Sequence, residues 1–290
     1  MKQLVIPLGM GLATLAFARW IGSDGAQWAG LPVVFVCAIL AFGINWLAFI
    51  PAALFRTEHF YDLIGANTYG AVTVAALALS GRLQEPLSVP VLIVAGMVLI
   101  WCIRLGSMLF ARVHRQGGDS RFDKIKTDPV RFFGAWTLQA VWVVITLASA
   151  LVVFTSNKPL EFGALFFVGL AIWTIGFAVE AIADHQKNAF RADPGNRGRF
   201  ITTGLWSWSQ HPNYFGEILL WAGIAVIAIP LLQGPAWAAL VSPVFVFFLL
   251  TKGSGIPLLD KAAKAKWGDD PAYQDYIRRT SKLVPMPPRK

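Results

Sequence analysis

The sequence predicts an all-α, polytopic membrane bundle of seven or eight transmembrane helices, with cytoplasmic loops capping one end. Three observations predict it. Hydrophobic residues fill 56% of the 290 positions and charged residues only 14%, against roughly 45–50% and about 25% in soluble domains. The mean hydropathy is +0.57. Eight apolar stretches recur, at 3–21, 31–55, 63–80, 88–111, 130–154, 160–182, 214–232 and 235–251. Most reach the roughly 20 residues that cross about 30 Å of hydrocarbon. This composition argues against a water-soluble enzyme, a disordered chain and a nucleic-acid-binding module. The net charge of +9 then reports loops facing an anionic leaflet, with no nucleic acid as partner.

Each stretch has its own justification. The first, 3–21, lacks a charged n-region and a small-residue cleavage site, so it reads as a retained helix and not a signal peptide. The stretches 31–55, 88–111, 130–154 and 160–182 read as full spans, and 63–80 is short. The last two are joined only by Leu232-Gln233-Gly234-Pro235. They form a hairpin that either crosses or re-enters. With an even number of crossings, the loop 112–131, the loop 183–212 and the tail from 252 share one side. Of the 25 Lys and Arg, only Arg19, Arg82 and Lys158 fall on the other side, and Arg104 lies within a span. That bias places both termini in the cytoplasm. Cys37 and Cys102 sit in apolar runs and read as core residues, with no metal set.

Polar residues near the cytoplasmic ends of the spans are the informative ones, because charges within membrane segments are expensive and mark sites or pathways. Glu58, Tyr61, Asp62 and Tyr69 can share one helical face, or simply belong to a short loop. Arg104 needs an anionic partner: a phosphate, or Glu58 or Asp62. Glu180, Asp184, Lys187 and Arg191 fall at i, i+4, i+7 and i+11, a single face. Such a face is either a solvated charge ladder or a presentation of carboxylates to ribose and cations to phosphates. Densest is Leu205-Trp206-Ser207-Trp208-Ser209-Gln210-His211-Pro212-Asn213-Tyr214-Phe215-Gly216-Glu217. It sets Asn213 and Glu217 one turn apart at a helix start, where Pro212 suits the first turn. Asn, His and Glu there offer donors and acceptors for a carboxamide or ribose; an elaborate helix cap is the plainer alternative.

That run resembles the signature of the steroid 5-alpha-reductase family, in its bacterial branch often labelled as a domain of unknown function (DUF1295). The likeness extends over Asp184 to Arg191, over Lys252-Gly253-Ser254-Gly255-Ile256-Pro257-Leu258-Leu259-Asp260-Lys261 and over Tyr273-Gln274-Asp275-Tyr276, and more loosely over 56–131. It implies a single membrane domain, 1–290, with substrate-side helices in 1–111. The NADPH-binding helices, loops and tail would be 112–290, around a cytoplasm-facing cavity. It implies reduction of the Δ4 double bond of a 3-oxo-steroid or similar enone lipid entering from the bilayer, by a monomer in a bacterial inner membrane among its lipids. The cofactor-binding residues it implies are Arg104, Asp184, Lys187, Arg191, Arg199, Trp206, His211, Asn213, Tyr214, Glu217, Lys252 and Asp260. The last two stand where the family carries an arginine and a tyrosine. Glu58 matches the catalytic glutamate, with Tyr61 as its companion or Tyr69 in its place; Trp101 stands where the companion tyrosine is expected. Burial among Phe55 and Phe60 is expected to keep Glu58 protonated, so that it donates to the substrate carbonyl. The alternative is a methyltransferase of the isoprenylcysteine carboxyl methyltransferase type, using S-adenosylmethionine. A non-catalytic lipid-binding or transport protein is the third reading.

Overall fold

Long apolar runs without interior breakers become helices when the bilayer leaves backbone groups no other partner. The computed structural model describes residues 2–84 and 87–289, and helices dominate them. The chain divides into two compact units: Met1–Gly163 with Ala228–Ser242, and Ala164–Ile227 with Pro243–Lys290.

In the first unit, α1 (Lys2–Ile21) leads to a two-residue hairpin, β1 (Gln27–Trp28) with β2 (Leu31–Pro32), paired antiparallel. Then come α2 (Val33–Leu54), α3 (Tyr61–Leu79), α4 (Val89–Gln116), α5 (Pro129–Thr146) and α6 (Ala148–Thr155). Helix α5 packs on α1 and α2, and α3 packs on α2 and α4. Asp128 caps α5 by accepting from the Val130 and Arg131 N–H groups, with Pro129 in the first turn. Ala52, Phe122, Phe132 and Trp136 form the core under the loop 117–128.

The apolar stretch 130–154, expected as one span, is bent by 55° between α5 and α6. Neither Pro nor Gly stands at the bend. The Ser242 hydroxyl donates to the Thr146 carbonyl there (2.5 Å), and the Ser149 hydroxyl to the Ala239 carbonyl (2.8 Å). The Ser242 side chain thus satisfies a carbonyl at the break, and Ser149 ties α6 to the 234–240 segment.

In the second unit, α7 (Ala164–Ala192) and α8 (Pro212–Ala228) run antiparallel along a glycine seam. A Cβ on Gly169 would stand 2.5 Å from the Gly223 carbonyl, and one on Gly176 2.7 Å from the Gly216 carbonyl. Only glycine lets the backbones approach that closely. α9 (Val241–Lys252), α10 (Ile256–Trp267) and α11 (Pro271–Arg279) follow. Among the described residues seven helices are long and apolar enough to cross a membrane, or eight if the α5–α6 pair is one span. The chain is an integral membrane protein with an all-α fold.

Candidate functional site

Two polar groupings stand out, one in each unit. In the second unit, α7 carries its charged face beyond the apolar run. Glu180 and Asp184 are buried, while Lys187 and Arg191 line a cavity of about 340 Å³. The segment before α8 forms the facing wall. Gly204 makes that possible: its φ is +62°, and its α-carbon lies so close to Gln186 that any Cβ would collide. The Gln186 Oε1 accepts from the Leu205 N–H at 2.9 Å. Trp206 is then buried, its Nε1–H donating to the Ala183 carbonyl (2.9 Å) and its ring lying 4.5 Å under the Lys187 ammonium. Such cation–π placement fixes the lysine without neutralising it.

The tail closes the cavity. The Tyr276 hydroxyl donates to the Trp206 carbonyl (2.7 Å), and the Trp267 Nε1–H donates to the Gly198 carbonyl (2.6 Å). Phe200 packs on Trp267, Tyr273 and Tyr276 at centroid distances of 5.7, 5.1 and 5.7 Å. The resulting wall is aromatic, with Arg199 and Lys266 at its edge and Asp260 as its carboxylate. His211 sits 7% exposed, stacked on Tyr214 at 5.7 Å. Its Nε2 makes no hydrogen bond among the described residues and lies 3.5 Å from Asp260 Oδ1. Burial pushes the imidazole pKa down to about 4; Asp260 opposes this and Lys187 and Lys282 reinforce it. Asn213 at the start of α8 donates from Nδ2 to Asp184 Oδ1 at 3.1 Å.

The fold therefore gathers Lys187, Arg191, Arg199, Trp206, His211 and Asp260 around one cavity. It joins Asn213 to Asp184 beside them and stacks Tyr214 on His211. Glu217 follows Asn213 one turn along α8. Lys252 is exposed at the end of α9 and does not line this cavity, and Arg104 belongs to α4 in the first unit. The sequence reading missed Phe200, Gln210, Lys266 and Trp267, which line the same cavity. Tyr273 and Tyr276 carried only the tail resemblance. The cavity offers cations that suit phosphates, flat aromatic rings that suit bases, and a buried imidazole nitrogen facing Asp260.

In the first unit, Glu58 is 2% exposed between α2 and α3. Its surroundings run against the expectation that it stays protonated. Burial raises its pKa, but the Asp119 N–H (2.9 Å) and the Lys126 ammonium (2.9 Å) outweigh that and hold it below its usual value. Lys126 is correspondingly raised, chiefly by its hydrogen bond to Glu58. Asp62 faces Arg112 at 3.5 Å and Arg121 at 3.8 Å. Tyr61 commits its hydroxyl proton to the Ala135 carbonyl (2.9 Å), wedged between Phe122 and Trp136. Tyr69 is buried edge-on against Trp101, 5.1 Å between centroids. Sequence gave no sign of Lys126, which arrives from a loop 68 residues further along.

Comparison with known proteins adds the following. The family model described as "Protein of unknown function (DUF1295)" matches residues 48–280. The chain is 29% identical over 122 residues to rat (Rattus norvegicus) 3-oxo-5-alpha-steroid 4-dehydrogenase 1, covering 42% of this chain and 41% of that protein. It is 33% identical over 84 residues to Delta(14)-sterol reductase of Ascobolus immersus, covering 24% and 20%. It is 27% identical over 94 residues to "Probable O-methyltransferase ustE" of Ustilaginoidea virens, covering 32% and 31%. The chain thus spans less than half the length of these curated relatives. No solved structure matches it.

Proposed function

The chain belongs to the DUF1295 family, and on that premise we propose that it is a membrane oxidoreductase that uses NADPH to saturate a conjugated C=C bond. Its substrate would be a 3-oxo-Δ4-steroid or a similar enone lipid. The observation that carries this reading is the second-unit cavity, where Lys187, Arg191, Arg199 and Lys266 converge on aromatic walls around His211. The steroid and sterol reductase names of similar proteins support it.

When bound, the dinucleotide would supply a hydride to the β-carbon of the enone, with a proton completing the α-carbon. The protein's part is to bind and orient. The four cations would hold phosphates, Arg by its planar fork and Lys as a point charge. Trp206, Trp267 and Tyr273 would stack on flat rings. Asp184, Asn213 and Glu217 would take ribose and carboxamide. At the substrate, negative charge develops on the carbonyl oxygen and needs a donor already in place. An ionised Glu58 cannot donate, so in this reading it holds the proton-bearing Lys126 ammonium, and the pair polarises the carbonyl.

Titration of the detergent-purified protein with NADPH, NADH and S-adenosylmethionine tests the proposal, together with turnover of a 3-oxo-Δ4-steroid. The expected result is NADPH binding, weakened about tenfold to a hundredfold by Arg191→Gln, as loss of a charged hydrogen bond implies. Absence of NADPH binding would sink it. The second reading, a methyltransferase, has the O-methyltransferase relative in its favour. Binding of S-adenosylmethionine and no dinucleotide would establish it instead.

A further inference from the structure

The tail that closes the cavity has a second face. Residues 252–290 carry nine Lys and Arg against four Asp, and the fold does not spread them evenly. α10, α11 and the final segment enclose an open groove of about 790 Å³, into which Lys264, Arg278, Lys282 and Arg289 converge with one carboxylate, Asp260. Backbone contacts build the groove. The Gln210 side-chain amide donates to the Ile277 and Thr280 carbonyls at 3.0 and 2.8 Å. The Gln210 N–H donates to the Ser281 carbonyl (2.8 Å), and the Arg289 N–H to the Arg279 carbonyl (2.9 Å). Internal carboxylates occupy only part of the charge. Lys282 pairs with Asp260 and Arg278 with Asp275, while Lys264 and Arg289 make no ion pair among the described residues.

The same segment also exposes apolar side chains. Leu258, Ile277, Val284 and Met286 are 40–49% exposed. The candidate span Gly234–Trp267 runs into this segment and ends with α10. Cations interleaved with exposed apolar residues at a span's end are the composition of an interfacial anchor.

We propose that the groove binds the phosphate headgroup of an anionic phospholipid, with the exposed apolar residues seated in the bilayer surface. Charge alone would serve any phosphate; Ile277 in the groove and the exposed apolar side chains of the same segment favour a lipid. The groove also shares Asp260 with the cavity described above, since Oδ2 pairs with Lys282 (2.5 Å) and Oδ1 lies 3.5 Å from His211 Nε2. A headgroup that draws on Lys282 therefore loosens a carboxylate facing His211. This last consequence rests on the cofactor reading; lipid binding itself does not.

Native mass spectrometry of the full chain in detergent tests it, with phosphatidylglycerol, phosphatidylcholine and inorganic phosphate as probes. The variant combines Lys264→Gln, Arg278→Gln and Arg289→Gln, all exposed, and leaves Lys282 and Asp260 intact. The expected result is preferential retention of phosphatidylglycerol, weakened at least about tenfold in the variant, with an unchanged unfolding midpoint. Equal retention by the variant, or no preference over phosphatidylcholine, overturns the proposal. Displacement by millimolar phosphate would make it a soluble-anion site. One-for-one competition with NADPH would make the groove an extension of the cofactor cavity. A protein that binds phosphatidylglycerol but no dinucleotide keeps the lipid site and removes only the coupling to a cofactor.

Discussion

His211 shows how one side chain carries both a site and a stability signature. Its native pKa of about 4 lies below the ordinary value of 6.5 because burial penalises the imidazolium. The unfolded chain therefore binds a proton at a pH where the native chain does not. The stability this represents is full above pH 6.5 and is lost as pH falls from there to about 4, roughly 3 kcal/mol in all. Denaturant unfolding in detergent across that window should show the loss, and His211→Phe should flatten it; an unaltered slope in the variant would refute the assignment. Glu58 loses its contribution at lower pH, because its pKa is held below the ordinary carboxyl value and its charge persists until then. Glu58→Gln tests its proposed role separately. The Asp119 N–H keeps an acceptor, but the Lys126 ammonium loses its anchor, so kcat should fall by at least about tenfold with the fold retained. Full turnover in that variant would remove the pair from the chemistry. The charge types at both positions were legible in the sequence. Their protonation states were not: that of Glu58 depends on Lys126 and Asp119, which approach only through the folding of the loop 117–128, and that of His211 on burial beside Asp260, Lys187 and Lys282.

At the level of elements, the α7–α8 pair matters most. Gly169 and Gly176 on one helix meet Gly223 and Gly216 on the other, each pair seven residues apart. Close backbone approach brings Asn213 within hydrogen-bond distance of Asp184 and holds Glu180 against Gly216. Gly176→Val would put a branched side chain where a Cβ already meets the Leu220 nitrogen at 2.5 Å. The helices must then separate, at a cost of about 1–3 kcal/mol or more. The expected outcome is a lower unfolding midpoint together with weaker NADPH binding, whereas Gly163→Val, where a Cβ meets nothing, should change neither. A midpoint equal to wild type for Gly176→Val would show that the seam tolerates spreading. Helix positions and the α7 charge face were readable from hydropathy and 3.6-residue spacing. The seam was not read, since glycine is common throughout apolar helices and only the facing register distinguishes these four. The cavity's outer wall was equally hidden: Phe200, Lys266 and Trp267 carry no local pattern, and the return of the tail alone assembles them.

At the scale of the whole molecule, span parity decides where every loop lies. Seven helices among the described residues qualify as spans, and the bent α5–α6 pair is the eighth only if it crosses as one. The Lys- and Arg-rich segments before α5 and after α10 then share a side with the amino terminus, as the positive-inside bias favours. If the pair instead turns back, those segments end on opposite sides, and a large part of the basic charge must sit on the unfavoured face. Ser242 and Ser149 satisfy carbonyls at and near the bend, so the break leaves fewer polar groups bare in hydrocarbon and is compatible with a complete crossing. Single cysteines at Thr127, Lys158 and Asp269, each exposed, separate the cases once Cys37 and Cys102 are replaced. A membrane-impermeant maleimide should label Thr127→Cys and Asp269→Cys from one side and Lys158→Cys from the other. Labelling of Thr127→Cys and Lys158→Cys from the same side would mean that the pair re-enters, and would reverse the sidedness of the second unit's tail, its cavity and its basic groove together.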